Sequence, residues 1–154
     1  MRRTEKEIAD RAEMEAVIAE AQVCRMALCD GDQPYVVPLC FGYADGTFYF
    51  HCALEGRKLD IVKQNPNVCL ELEAGVSLKT GGKACEWGMN FRSVIACGRA
   101  ERVDEAEARR RALDLIMAHY ASGQFDYGEA ALAKIVVLQV KTTSMTGKRS
   151  ARAL

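Results

Sequence analysis

The stretch "FYFHCALEGRKLDIVKQNPNV" (48–68) decides how this chain is read. Phe48-Tyr49-Phe50 is a run of strand-forming aromatics that ends at His51. A short loop containing Gly56 follows, then a helix-like segment from Arg57 that stops at Asn65, because a residue before proline is pushed out of the helical region. A helix beginning near Arg57 has unbonded N–H groups in its first turn and a positive dipole end, which together attract an anion. Gly56 lets a ligand approach the main chain. Arg57 offers a planar fork and Lys58 a compact charge. The combination suits a terminal phosphate. The same triplet also reads as an ordinary solvated helix face. His51 has two readings as well: a packed or capping side chain, or a side chain lying along the body of a ligand whose phosphate sits at Lys58.

The elements on either side frame this junction. Residues 4–21 read as a helix, with Thr4 and Glu7 in capping-box register and an apolar stripe from Ile8 to Ala21. Cys24–Cys29 reads as a strand and Asp30-Gly31 as a hairpin turn. Tyr35–Tyr43 reads as one strand. Pro38 inside it marks an edge, a bulge or a backbone–ligand contact, since proline donates nothing to a ladder. After the turn at Ala44-Asp45-Gly46 comes the strand 47–52. The segment "NVCLELEA" (67–74) alternates cleanly as a half-buried strand. Residues 75–90 read as a polar, glycine-bearing loop, 91–102 as a strand, 104–120 as a helix capped by Asp104, 133–143 as a last strand, and 145–154 as a basic tail. The expected architecture is therefore one domain over 1–154, mainly β with flanking helices. Tight turns make the sheet antiparallel, and six strands of this length fold into a small barrel that hides its edges.

Composition bounds the function. Almost half of the 154 residues are apolar, and basic and acidic side chains balance at 21 each. No global field points to nucleic acid or an anionic membrane. No run approaches the ~18 apolar residues of a membrane span. The charged start Met1–Lys6 carries no apolar signal-peptide region, so a cytoplasmic location is expected. Seven cysteines, at 24, 29, 40, 52, 69, 85 and 97, include no C-x-x-C pair. The expectation is reduced, mostly buried thiols and no metal site. His119, late in an amphipathic helix, reads as structural.

At this point the pattern is identifiable. "PYVVPLCFGYADGTFYFHCALEGRKLDIVKQNPNVCLELE" (34–73), with "FRSVIACGRAERV" (91–103) and "SMTGKRS" (144–150), resembles the FMN-binding split-barrel superfamily that includes pyridoxamine 5'-phosphate oxidase. More narrowly it is similar to the nitroimidazole-resistance (Nim-type) branch, and the likeness covers nearly the whole chain. The resemblance implies a homodimeric split β-barrel of the FMN-binding type with FMN in a groove at the dimer interface. It implies that Arg57 and Lys58 hold the phosphate, with backbone from the Ala53–Gly56 loop. The flavin would lie against Val37, Pro38 and Leu39, and His51 would approach the ring or its ribityl chain as the candidate catalytic residue. Cys52, where a smaller residue is expected, lies among the cofactor contacts. Arg92 and Ser93 would complete the phosphate or ribityl contacts, with Lys148 a further candidate.

The flavin would carry the electrons of an oxidoreductase acting on a small molecule, nitroaromatic or nitroimidazole reduction being one such activity. The alternatives are a non-enzymatic flavin or haem binder and a split barrel without cofactor. No G-x-G-x-x-G follows a strand, so an NADH or NADPH donor would bind transiently. His51 and Cys52 are adjacent, so strand geometry points them to opposite faces and no Cys–His pair forms. A flat ring needs walls from two surfaces, which is why a homodimer is expected, with Trp87 either a second wall at the substrate side or an ordinary core residue.

Overall fold

The computed structural model describes residues 3–150. Residues 1–2 and 151–154, part of the charged start and of the expected basic tail, lie outside the described residues. A 3-10 turn, Thr4–Lys6, leads to β1 (Glu7–Ile8) and α1 (Arg11–Glu20). Next come β2 (Cys24–Asp30), β3 (Gln33–Leu39), β4 (Gly42–Ala44), β5 (Thr47–Ala53) and α2 (Arg57–Gln64). The chain continues through β6 (Asn67–Lys79), β7 (Gly88–Val103), α3 (Ala106–Tyr120) and α4 (Glu129–Leu132) to β8 (Ile135–Arg149).

Every strand pairing is antiparallel. The order across the sheet is β3-β2-β6-β7-β8-β5-β4, with β1 added to β8. The two terminal strands, β3 and β4, are not bonded to each other, so the sheet stays open along one seam. The strands nevertheless share one interior. Met26, Leu28, Phe48, Phe50, Leu70, Leu72, Val94 and Leu138 lie in a single buried cluster, which requires the sheet to wrap around it. Val17 and Ile18 of α1 belong to the same cluster and close it. Each such side chain contributes about 1.5–3 kcal/mol by leaving water. Outside the sheet, Ala112, Leu113 and Ile116 of α3 pack on Val103 and Val137, forming a second, smaller core. At Gly42 an added Cβ would sit 2.6 Å from the Ile116 backbone nitrogen, so α3 rests directly on the β4 main chain.

Several elements differ from expectation. Eight strands form the sheet rather than six. The expected strand 35–43 breaks at Cys40–Phe41, and its halves pair with different partners, β3 with β2 and β4 with β5. Glu7–Ile8 pair with Gly147–Lys148, which takes them from the expected first helix; Asp10 then caps α1, its carboxylate accepting from Ala12 N at 3.2 Å. The expected loop 75–90 is largely a projecting hairpin arm in which Ser77 pairs with Asn90 and Lys79 with Gly88, beyond a register shift after Ala74. Met145–Arg149 are not tail but the end of β8. Glu105 rather than Asp104 caps α3, accepting from Glu107 N and Ala108 N at 2.8 and 2.6 Å. The cysteines are not mostly buried: Cys24 alone is, while Cys29, Cys40 and Cys85 are exposed.

Candidate functional site

The open seam places the strand-to-helix junction. β4 pairs only with Thr47–Tyr49, so the far half of β5 presents a free edge on that side. β3 presents the other free edge. Between them lies a cavity of about 170 Å³, lined by Tyr35 and Val37 from β3, Cys52 and Ala53 from β5, and Glu55–Leu59 at the start of α2. Gly56 is the N-cap of α2 with φ +137°, a backbone value that side-chain-bearing residues rarely adopt. No side chain caps the helix, so its first N–H groups remain available to a ligand.

The two cations are situated differently. Arg57 donates from Nε and Nη2 to Asp30 Oδ2, at 3.2 and 3.1 Å, and its guanidinium carbon lies 4.8 Å from the centre of the Tyr35 ring. Its side chain is 57% exposed. Lys58 is half-buried and forms no ion pair among the described residues. It lies close enough to the Cys52 thiol to act on it: burial raises that thiol's pKa, and the Lys58 ammonium opposes the rise. Glu55 is the one acidic side chain on the cavity wall. The arrangement is an uncapped helix start with one half-buried ammonium beside it and a guanidinium tethered at the rim. It can accept a small anion, with Asp30 competing for Arg57.

His51 lies on the opposite face of β5. It lines a separate, mostly apolar cavity of about 220 Å³ with Leu113, Ile116 and Met117 of α3 and Tyr127, Leu132 and Ile135. Burial and then the neighbouring Asp114 carboxylate raise the Tyr127 phenol pKa to about 12. Of the three residues expected along the flavin, Val37 lines the seam cavity, Leu39 packs inward with the core, and Pro38 faces solvent on the edge strand opposite Arg25. Arg92, Ser93 and Lys148 sit together at the far end of the sheet. Ser93 is in register with Lys148, and Arg92 pairs with Glu20 of α1. They do not meet Arg57 and Lys58 within one chain. Trp87 is on the projecting arm, 53% exposed, its Nε1 donating to Gly81 O at 2.8 Å. His119 is structural: Nε2 lies 2.7 Å from Ala21 O and the ring packs on Phe41.

Sequence reasoning missed Tyr35, Glu55 and Asp30 at the seam. Asp30 was legible only as a turn former; its proximity to α2 depends on how the β2–β3 hairpin folds over. The cavity beside His51 was missed because residues 121–133 carry no clear period. Among the described residues, no helix is long and apolar enough to cross a membrane and no cluster of three metal-binding side chains occurs.

Comparison with known proteins agrees with the fold. The family described as pyridoxamine 5'-phosphate oxidase matches residues 10–149. A Bacteroides thetaiotaomicron structure, described as a candidate 5-nitroimidazole antibiotic resistance protein, is 35% identical with a TM-score of 0.84, covering 93% of this chain and 86% of that one. An FAD- and haem-binding protein from Mycobacterium smegmatis shares the fold at 17% identity and TM-score 0.84, over 94% of this chain and 73% of its own. An uncharacterized protein of Rhizobium meliloti (strain 1021) is 28% identical over 96 residues, which is 62% of this chain and 56% of that protein's length.

Proposed function

The chain belongs to the pyridoxamine 5'-phosphate oxidase family, and from that premise we propose that it is an FMN-binding flavoprotein acting as an oxidoreductase on a small molecule. The observation that carries the reading is the seam cavity: an uncapped α2 N-terminus with Lys58 half-buried beside it and free of any carboxylate partner among the described residues. That is the donor set a phosphate monoester requires.

The cavity fits the phosphate end of the cofactor and not the whole of it. Sites that enclose a ligand of flavin size run to about 300–1,000 Å³, against about 170 Å³ here. A second copy of the chain supplies the missing wall in this reading. It would bring Arg92, Ser93 and Lys148, which are remote from Lys58 in one chain, or the exposed Trp87 of its arm, toward the partner's seam. Lys58 and the α2 N–H groups bind the phosphate. Arg57 swings from Asp30 to join them. Val37 provides the apolar contact along β3. When bound, the flavin accepts and donates the electrons. His51 faces away from the seam, into the cavity beside α3, and stays outside the flavin contacts in this reading. Nitroaromatic reduction is the substrate class we favour, since the 35%-identical Bacteroides protein is described by resistance to 5-nitroimidazoles.

The test is the visible spectrum of the purified protein, followed by turnover. Oxidised-flavin bands that release FMN on denaturation, with NADH or NADPH oxidation stimulated by a nitroaromatic, are expected. A Soret band would move the reading to a haem binder. A colourless protein that FMN cannot titrate would end it.

A further inference from the structure

We infer that Cys69 and Cys97 form a dithiol–disulfide couple on the outer face of the sheet, oxidised by exchange with a low-molecular-weight disulfide such as oxidised glutathione. The two residues are register partners on β6 and β7. The type of pairing follows from the neighbouring hydrogen bond. Ala100 N donates to Pro66 O at 2.8 Å, which makes 66 and 100 a hydrogen-bonded pair in the same register. Such pairs alternate along an antiparallel ladder. Val68–Gly98 is then hydrogen-bonded, and Cys69–Cys97 is not. Residues of a non-hydrogen-bonded pair have Cα atoms about 4.5 Å apart, inside the roughly 4.4–6.8 Å that a disulfide spans.

The surroundings agree. Val68 and Leu70 fill the interior, so both thiols face outward, each half-buried. Their lateral neighbours in the ladder are small, Ala27 beside Cys69 and Ser144 beside Cys97. Burial and then the Cys97 thiol beside it raise the Cys69 thiol pKa. No other two cysteines face each other in the described ladders.

The exchange balances without any other reactant. The Cys97 thiolate attacks one sulfur of the small disulfide, forming a mixed disulfide and expelling one small thiolate. Cys69 then loses its proton and attacks the Cys97 sulfur, expelling the second thiolate. Two protein thiols are oxidised, one small disulfide is reduced to two thiols, and the two protons end on those thiols or in solvent. The product ties together strands that are already paired, so it constrains the unfolded chain more than the folded one.

The native protein is incubated with oxidised glutathione, alkylated, and mapped by mass spectrometry without reduction. The expected product is a peptide pair joined Cys69–Cys97 in the intact fold, with two thiols lost, both recovered with dithiothreitol, and a higher melting temperature in the oxidised form. A variant carrying Cys29→Ser, Cys40→Ser and Cys85→Ser still forms it. Phenylarsine oxide, which bridges adjacent thiols, binds once per native chain and not after Cys97→Ser. Glutathione attached only at Cys29, Cys40 and Cys85, or failure of phenylarsine oxide to bind the wild type, would overturn the inference.

Discussion

Arg57 and Lys58 adjoin in sequence but differ in what holds them. Arg57 is exposed at the rim and held by Asp30 and the Tyr35 ring, whereas Lys58 is half-buried with the Cys52 thiol as its neighbour. Lys58 therefore contributes a fixed charge to the site, and Arg57 a charge that Asp30 must release. An exposed pair of this kind is worth about 0.2–1 kcal/mol. Removing it with Asp30→Asn should tighten FMN by roughly 1.4- to five-fold on that basis, read by fluorescence titration; weaker binding would mean that Asp30 orients Arg57 for the ligand instead of competing with it. The Gly-Arg-Lys triplet was legible because helix starts leave N–H groups unbonded wherever they occur. The opposed faces of His51 and Cys52 were legible too, from strand parity alone. Asp30 was not, since its role arises from tertiary placement of a turn.

At the level of elements, alternation made the first half of β6 (67–74) legible, because one face of it must meet the interior, but not its continuation to Lys79. It failed where a partner outside the segment decided the outcome. β1 exists because β8 pairs with Glu7 and Ile8, and β4, parted from β3, pairs with β5 and lies under α3 at Gly42. The α3 cap offers a test of such local terms. Glu105 accepts from Glu107 N and Ala108 N, and these bonds lower its pKa. A carboxylate with a lowered folded-state value adds stability above its unfolded value and loses it as pH falls through the folded one. Glu105→Ala should therefore lower the urea midpoint at neutral pH, and the gap from wild type should close in acid. A gap independent of pH would show that the carboxylate charge is not what caps the helix.

For the whole molecule, the antiparallel, mainly β character was legible because turn signals and alternation agree along most of the chain. The seam was not, since it follows from one strand dividing between two partners. The seam also accounts for the functional reading: it exposes the α2 start, leaves a cavity too small for a flavin, and separates Lys58 from Arg92 and Lys148. The proposed homodimer would resolve that separation, so light scattering should give twice the 17.0 kDa chain mass; a monomer that holds FMN tightly would refute a shared site. The central claim, that the seam reads a phosphate, is tested most directly by titrating wild type and Lys58→Ala with FMN and with riboflavin. A hydrogen bond to a charged group contributes about 1.5–3 kcal/mol, roughly ten- to a hundredfold in affinity. The account predicts a loss of that size for FMN in Lys58→Ala with riboflavin affinity nearly unchanged, whereas equal losses for both ligands, or none for either, would contradict it.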